Sequence, residues 1–310
     1  AEPTGKCKDL EKFSHLWYYN KCDKQRKITG NYDVNAYNEA SEIPELINGK
    51  PVKPNYETLL YHFWLYVNEN WTNNDRYSDI KPSDNPYQFE FDLREDKYIK
   101  KQMQKTALLS YLLYEDGKIV IDEKSPIDKF GKVFTNETQF QSQSVGKSLA
   151  SYILGHAICK GYVESIDANI DDWPLIENSI YHNQKIIDII NMAAGDKEYF
   201  SSKDSANRYK KTGRSVSNTT IKKAIDNEFK VLKKSKNTYS YNNFLPPLIM
   251  NYIIFKVGEE KYQELLDDIF RKKAGIEHGM YFVEPQTSEP GDRSTHSTFL
   301  ATRYDYLRMS

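Results

Sequence analysis

The segment QFQSQSVGKSLASYILGHAICKGY, from Gln139 to Tyr162, decides the fold because it places serines and one lysine at the start of an apolar helical pattern. Its apolar residues recur at the spacing of one helix face. They are Leu149, Tyr152, Ile153 and Ala157. A helix is therefore predicted to begin near Ser144, with Ser144 and Lys147 three residues apart on one face of its first turn.

A serine and a lysine at this spacing can do chemistry together. A serine hydroxyl is a poor nucleophile unless a base takes its proton, and a lysine pressed against apolar surroundings loses its charge readily enough to be that base. A plainer interpretation fits the spacing equally well, with Lys147 in solvent and Ser142 or Ser144 as a helix cap. The pattern is loose, because Ser78 to Lys81 also matches it, although Pro82 follows directly and no helix is predicted behind it.

The composition is that of a globular protein. The chain has 310 residues, of which 39% are hydrophobic, so it can bury a substantial core as one large domain or one domain with an added segment. No run approaches the roughly 20 apolar residues of a membrane span. A formal charge of −1 gives no reason to expect nucleic acid or an acidic membrane as a partner.

The N-terminus and the cysteines bear on the compartment. The sequence begins at Ala1 without an initiator methionine, which indicates a processed precursor or a trimmed sequence. Export is one explanation, and we then expect a periplasmic or secreted protein whose signal peptide has been removed. Cys7 and Cys22 could then form a disulfide, and the sequence leaves both bonded and free states open. Cys159 falls in the apolar helical pattern and is predicted to fill the core.

The N-terminal part of the chain, as far as Ile121, is predicted to form an extension followed by a hairpin. Residues 1–95 are predicted to wrap on the core, with one amphipathic helix at Tyr56–Val67. Strands are predicted at Ala107–Tyr114 and Lys118–Ile121, joined by an Asp116-Gly117 turn. This hairpin is expected to be the first pair of a central antiparallel sheet.

Helices dominate the remainder. Ile186 to Met192 predict a short helix that stops near Gly195, and apolar periodicity predicts a helix from Leu248 that ends at Gly258 and another over Tyr262–Phe270. The charged stretch 196–237 is either a small helical subdomain or a surface excursion. Early strands followed by helices predict an α+β fold.

The order of these elements resembles the serine β-lactamase and penicillin-binding-protein superfamily, and most closely the class C β-lactamase-related esterases, amidases and 6-aminohexanoate-dimer hydrolases. The resemblance covers roughly residues 100–310. It implies an antiparallel sheet flanked by helices, with Ser144 as the acylated nucleophile and Lys147 as the group that helps to deprotonate it. Residues 96–310 would be the hydrolase domain.

The second element of this superfamily is Tyr-x-Asn on a loop that leads into a helix. Tyr241, Asn242 and Asn243 match it about a hundred residues after Ser144, directly ahead of a predicted helix. The resemblance implies Tyr241 as a general acid and base and Asn243 as a substrate-binding residue. The same spacing at Tyr18, Tyr66 and Tyr181 lacks the right order or the following helix.

The third element, a Lys- or His-Thr/Ser-Gly on an edge strand, is expected after Ser310. Glu259–Met280 and Ser297–Ser310 resemble the superfamily's later helices, so the C-terminal strands are expected to be missing, supplied by a second chain, or replaced by a degenerate site. The literal match Lys211-Thr212-Gly213 precedes Tyr241 and is predicted to be a surface turn.

The other catalytic plans are not supported by the sequence. No Gly-x-Ser-x-Gly elbow and no paired histidine spacing for a metal occurs, and His156 is predicted to lie in the core. The resemblance implies a serine hydrolase that acts on a small ester, amide, β-lactam or D-amino-acid peptide, with no metal or organic cofactor. The alternative is a non-catalytic penicillin-binding or sensor-like protein; the oligomeric state stays open.

Overall fold

The computed structural model describes residues 76–106, 108–127, 135–199, 219–229, 236–285 and 291–310, and the backbone of residues 46–47 and 50–51. The strands are β1 (Leu46–Ile47), β2 (Lys50–Pro51), β3 (Arg76–Ile80), β4 (Glu90–Phe91), β5 (Ser110–Glu115), β6 (Lys118–Lys124), β7 (Phe140–Gln141), β8 (Asn169–Ile170), β9 (Gln184–Lys185), β10 (Met280–Val283) and β11 (Phe299–Ala301). The helices are α1 (Lys97–Lys105), α2 (Gly146–Cys159), α3 (Ile186–Ile190), α4 (Ile221–Ala224), α5 (Leu245–Val257), α6 (Glu259–Leu266) and α7 (Arg303–Arg308). A 3-10 turn at Gln143–Val145 precedes α2, and π-helical turns follow α4 and α6 at Ile225–Phe229 and Asp267–Lys273.

The chain divides into two compact units, and the described part of 88–140 lies in the smaller one. Its sheet has the order β4-β6-β5. The predicted hairpin of β5 and β6 is confirmed, and its turn residues Asp116 and Gly117 have φ of 48° and 83°, as a tight right-twisted hairpin requires. The hairpin was predicted to be the first pair of a central antiparallel sheet, but in the described residues it pairs with β4, which runs parallel to β6, and forms a sheet separate from that of β3, β10, β11 and β7. The stretch between β4 and β6 is long enough for the crossover that a parallel pair needs.

The larger unit contains the described residues of 75–87 and 141–310, with a four-stranded sheet in the order β3-β10-β11-β7. Strands β3, β10 and β11 pair antiparallel. The sequence analysis assigned Ser297–Ser310 to a helix, and α7 covers Arg303–Arg308 of it, but Phe299–Ala301 form β11 instead. Strand β10 was not predicted, and only its first residue, Met280, fell at the end of a segment assigned to a helix. Every residue of β10 and β11 is buried, and such short apolar runs carry no period that separates strand from helix.

The structure groups residues 76–87, which lie in the predicted extension 1–95, with the larger unit. The domain bounds 1–95 and 96–310 stay a prediction. The loop after β3 is tied to the larger unit by backbone hydrogen bonds from Ser83 to Ile276 and from Tyr87 to Gly275. The helix predicted at Tyr56–Val67, the Cys7–Cys22 pair and the turn predicted at Lys211-Thr212-Gly213 all lie outside the described residues.

The core of the larger unit is built around α2 and α5. The predicted start of α2 near Ser144 is confirmed, and its buried face packs against α5. Eleven of the thirteen residues of α5 are buried, as expected of a helix that is apolar on all sides. The predicted end of α5 at Gly258 is also confirmed; its φ of 83° is one that glycine adopts without strain.

Two predictions for α2 were wrong. Cys159 is a free, exposed thiol rather than a core residue, because it lies two positions, or about 200°, around the helix from the buried Ala157. His156 is half-buried rather than in the core, and its ring packs edge-on against Tyr152 at a centroid distance of 4.8 Å.

The other helices agree in part with the predictions. Helix α3 ends at Ile190, earlier than predicted, because the chain turns at Met192 with φ of 55° before it reaches Gly195. Helix α6 begins at Glu259 and runs into a π-helical turn that ends at Lys273, which covers the predicted helix at Tyr262–Phe270. In the part of the chain that the structure describes, no helix has both the length and the apolar character to cross a membrane.

Candidate active site

Ser144 lies in the 3-10 turn that leads into α2, and its side chain is exposed. The preceding residue, Gln143, has a φ of 47°, which is uncommon for a residue other than glycine and costs energy. Its side-chain amide donates to Gln141 Oε1 at 2.8 Å, across the residue between them. The turn therefore holds Ser144 in a backbone arrangement that a relaxed helix start would not produce.

The structure brings the three residues predicted to be catalytic together. The Lys147 amine donates to Ser144 Oγ at 3.1 Å, and the Tyr241 hydroxyl lies 2.6 Å from the same oxygen. Lys147 is half-buried, and its Nζ lies 4.9 Å from the centre of the Tyr241 ring. One hydroxyl is thus shared between an amine and a phenol, each close enough to exchange a proton with it.

The environment of Tyr241 favours its ionised form. Hydrogen bonds from Lys147 and Ser144, together with the nearby Lys147 charge, lower the pKa of the Tyr241 phenol, and partial burial acts in the opposite direction. A lower pKa increases the fraction of phenolate at neutral pH, and the phenolate is the form that accepts a proton. Tyr241 can therefore take the Ser144 proton, while the Lys147 charge beside it stabilises the phenolate.

The segment before and in β11 packs directly against the turn that carries Ser144. Ser142 and Phe299 exchange two hydrogen bonds: Ser142 N–H donates to the Phe299 carbonyl at 2.8 Å, and Phe299 N–H donates to Ser142 Oγ at 3.0 Å. A Cβ on Gly146 would lie 2.0 Å from the Ser297 carbonyl oxygen, so only glycine fits there. Neither Ser142 nor Ser144 makes a side-chain capping hydrogen bond to the 3-10 turn or to α2, and Lys147 is half-buried rather than in solvent, so the structure does not favour the plainer interpretation of the sequence.

The arrangement is suited to acyl transfer. The Ser144 oxygen lies at the N-terminal end of the 14-residue helix α2. Backbone N–H groups and the helix dipole there favour the negative charge that develops on a substrate's carbonyl oxygen when its carbon is attacked. Among the described residues, no three His, Cys, Asp or Glu side chains are grouped to hold a metal ion.

Comparison with solved structures identifies the fold. A structure from Bacillus anthracis, assigned as a 6-aminohexanoate-dimer hydrolase, matches 74% of this chain with a TM-score of 0.53 at 14% identity. The chain has the fold of the serine β-lactamase and penicillin-binding-protein superfamily. It spans 63% of the Bacillus anthracis chain. FmtA from Staphylococcus aureus matches 72% of this chain and 68% of its own, with a TM-score of 0.47 at 16% identity. Neither a family model nor a curated protein matches the sequence.

Within this β-lactamase-like fold, the sequence analysis missed the role of Asn242. Its Oδ1 accepts from the backbone N–H groups of Phe244 and Leu245, both at 3.0 Å, at the start of α5. Its position ahead of the helix, with prolines in the first turn, was the available signal. Asn243, predicted to bind substrate, is exposed, and its role stays a prediction.

His296 is the second residue near this site that was missed. Its Nδ1 accepts from the backbone N–H of Thr298 at 3.0 Å, so Nε2 carries the proton of the neutral ring. Burial, and then the Lys147 charge, lower the pKa of His296 to about 4. The histidine is therefore neutral at pH 7. No motif signals it, because its place beside the site depends on β11.

Proposed function

We propose that this protein is a serine hydrolase that cleaves an ester or amide bond of a small molecule through an acyl-enzyme intermediate. The observation that carries the proposal is the position of Ser144 Oγ, 3.1 Å from the Lys147 amine and 2.6 Å from the Tyr241 hydroxyl. The shared fold supports a hydrolase at the level of the superfamily.

The first half of the reaction forms the acyl-enzyme. Tyr241, with Lys147 beside it, takes the Ser144 proton as the serine oxygen attacks the carbonyl carbon. The carbonyl π bond opens to an oxyanion at the N-terminal end of α2, and the tetrahedral intermediate collapses when the bond to the leaving group breaks. Tyr241 returns the proton to the leaving alcohol or amine. Ser144 then carries the acyl group as an ester.

The second half reverses these roles with water. Tyr241 removes a proton from water, the hydroxide attacks the acyl carbon, and Ser144 leaves with that proton to regenerate the free hydroxyl. Asn243 is proposed to orient the substrate. The Bacillus anthracis structure is named as a hydrolase of the 6-aminohexanoate dimer, which contains an amide bond. Amides are therefore candidate substrates, together with esters, β-lactams and D-amino-acid peptides.

A covalent labelling experiment tests the proposal. The full chain is incubated with a fluorophosphonate, the adduct is located by mass spectrometry, and p-nitrophenyl acetate is used to follow acylation and release. We expect an adduct on Ser144 and continued release of acetate, and both should vanish in Ser144→Ala. Ser148→Ala is the matched control, because Ser148 is also exposed and lies one turn further along α2.

The outcomes separate the proposal from its alternatives. A folded protein that takes no label on Ser144 would overturn the acyl-enzyme mechanism. An acetyl group that stays on Ser144 without release would favour the penicillin-binding or sensor-like protein over a hydrolase. Label that persists in Ser144→Ala and disappears in Ser148→Ala would show that Ser148, and not Ser144, is the nucleophile.

A further inference from the structure

Asp196 is a fully buried carboxyl group near the site, and the mechanism above does not use it. Its Oδ2 accepts from the Tyr181 hydroxyl at 3.1 Å and from the Asn242 amide at 3.5 Å. Its Oδ1 is buried without a hydrogen-bond partner among the described residues. Isolated buried carboxyl groups are costly, and an unsatisfied buried oxygen calls for an explanation.

The contacts of Asp196 lead to Tyr241. Asn242, which Asp196 contacts, directly follows Tyr241, and it also donates to the Ser240 carbonyl at 3.1 Å. On the other side of Tyr241, the Ser240 N–H donates to the Met192 carbonyl at 2.8 Å. The stretch from Met192 to Asp196 therefore holds the backbone both before and after Tyr241.

Tyr241 depends on these backbone contacts more than a core residue would. Half of its surface is exposed (50%), so little side-chain packing fixes the ring. Its hydroxyl must nevertheless stay 2.6 Å from Ser144 Oγ, and a displacement of about 1 Å in a reacting group can cost about a hundredfold in rate.

We propose that Asp196 is a positioning residue that holds Tyr241 against Ser144 through Asn242. This inference rests on the proposed function for its effect on rate. The hydrogen bonds need only an acceptor oxygen at Oδ2, and burial raises the pKa of Asp196, which favours the uncharged acid in this place. The role is one of geometry rather than of charge.

Three substitutions test the inference. Asp196→Asn keeps an acceptor oxygen of the same shape, and we expect acylation within about threefold of the unmodified protein. Asp196→Leu removes the acceptor. Asn242→Ser is too short to reach Asp196 but can still cap α5, so it breaks the same link from the other side. In the last two variants we expect the acylation rate to fall by about 10- to 100-fold.

The pH dependence gives a readout that loss of stability alone would not move. The only charged group among the causes of the lowered Tyr241 pKa is Lys147, and a displaced Tyr241 loses that contact. The limb of the pH–rate profile that rises with pH should therefore move to higher pH in Asp196→Leu and Asn242→Ser, but not in Asp196→Asn. The ionisation of Tyr241 itself is followed by NMR with ring-labelled tyrosine and assigned with Tyr241→Phe.

This design distinguishes failure of the inference from failure of the proposed function. If Ser144 is acylated and neither Asp196→Leu nor Asn242→Ser changes the profile or the Tyr241 titration, the positioning role is overturned and the hydrolase stands. If Ser144 takes no acyl group but the Tyr241 titration still shifts in both variants, the hydrolase is overturned and the positioning role stands. If Asp196→Leu fails to fold, Asn242→Ser decides alone.

Discussion

Tyr241 and Ser144 are 97 residues apart in the chain, yet their hydroxyl oxygens lie 2.6 Å from each other. The contact is made between the loop before α5 and the turn before α2, two helices that pack together in the core. Because both helices are packed in the core, the distance between the loop and the turn is fixed. The proposed chemistry depends on that separation more than on any property of either residue alone.

Substitution of Tyr241 by phenylalanine should separate the phenol from the ring. Tyr241→Phe keeps the ring that lies 4.9 Å from the Lys147 amine but removes the hydroxyl that contacts Ser144. We expect acylation by p-nitrophenyl acetate to fall by about 10²- to 10⁴-fold, the usual contribution of general acid–base catalysis. Circular dichroism and thermal unfolding should be unchanged. Retention of more than a tenth of the activity would remove Tyr241 from the mechanism.

Replacement of Lys147 by methionine should act through the phenol. Without the amine, the pKa of Tyr241 returns towards its ordinary value, so less phenolate is present at neutral pH. We expect acylation at pH 7 to fall by about 10²-fold or more, with partial recovery as the pH is raised. The pH–rate profile measured with p-nitrophenyl acetate checks this expectation.

The matched control is Lys160→Met at the other end of α2. Lys160 is exposed and forms an ion pair with Asp268 on the surface, so its loss should change stability little and leave acylation unchanged. Equal losses in Lys147→Met and Lys160→Met would show that the effect is one of general charge and not of contact with Tyr241.

The parts of this fold that could be predicted from the sequence are those with local causes. The Asp116-Gly117 turn, the start of α2 and the end of α5 at Gly258 are each set by residues within a few positions of one another. Ser144, Lys147 and Tyr241 are distant or loosely patterned in the sequence, and local causes did not predict that they lie together. They were predicted because their motif spacing and their order in the chain resemble those of the superfamily.

What could not be predicted depends on residues far apart in the chain. The reciprocal bonds of Ser142 with Phe299 exist only once β11 lies beside the turn, and nothing near Phe299 in the sequence announces a strand. The same pairing places His296 near Lys147. Which of the two asparagines bonds to the start of α5 was not predicted, because it depends on burial: Asn242 is buried and accepts from the Phe244 N–H, whereas Asn243 is exposed.

His296 should make stability depend on pH in a defined window. Its pKa is about 4 in the folded protein against 6.5 for the free side chain, so between these values the unfolded chain binds a proton that the folded chain does not. Stability is therefore complete above pH 6.5 and is lost as the pH falls towards 4, by up to about 3 kcal/mol. Urea unfolding at pH 7, 5.5 and 4.5 measures this loss.

His296→Asn is the variant that isolates this effect. The asparagine oxygen can replace Nδ1 as acceptor for the Thr298 N–H, but the side chain does not titrate. We expect the fall in stability between pH 7 and 4.5 to become shallower in His296→Asn. The same pH dependence in both proteins would mean that other groups cause the loss, and that His296 is not held neutral by the fold.

Gly146 and Gly155 offer the sharpest test of the packing beneath Ser144, because both lie in α2 and only one is enclosed. A Cβ at Gly146 would lie 2.0 Å from the Ser297 carbonyl oxygen and 2.9 Å from Ser142 Oγ, whereas a Cβ at Gly155 would meet no atom within 4 Å. Alanine at Gly155 should stabilise the protein by up to about 1 kcal/mol through its higher helix propensity.

Alanine at Gly146 should have the opposite effect, since either the Ser297 backbone or the Ser144 turn must move to admit the methyl group. We expect Gly146→Ala to lower the free energy of unfolding by about 1 to 3 kcal/mol, the usual cost of overpacking, and to slow labelling of Ser144 by fluorophosphonate. Urea unfolding and labelling rates are measured for both variants. If Gly146→Ala is as stable and as reactive as Gly155→Ala, the segment before β11 does not pack tightly against the turn that carries Ser144. This segment would then not hold Ser144 in place.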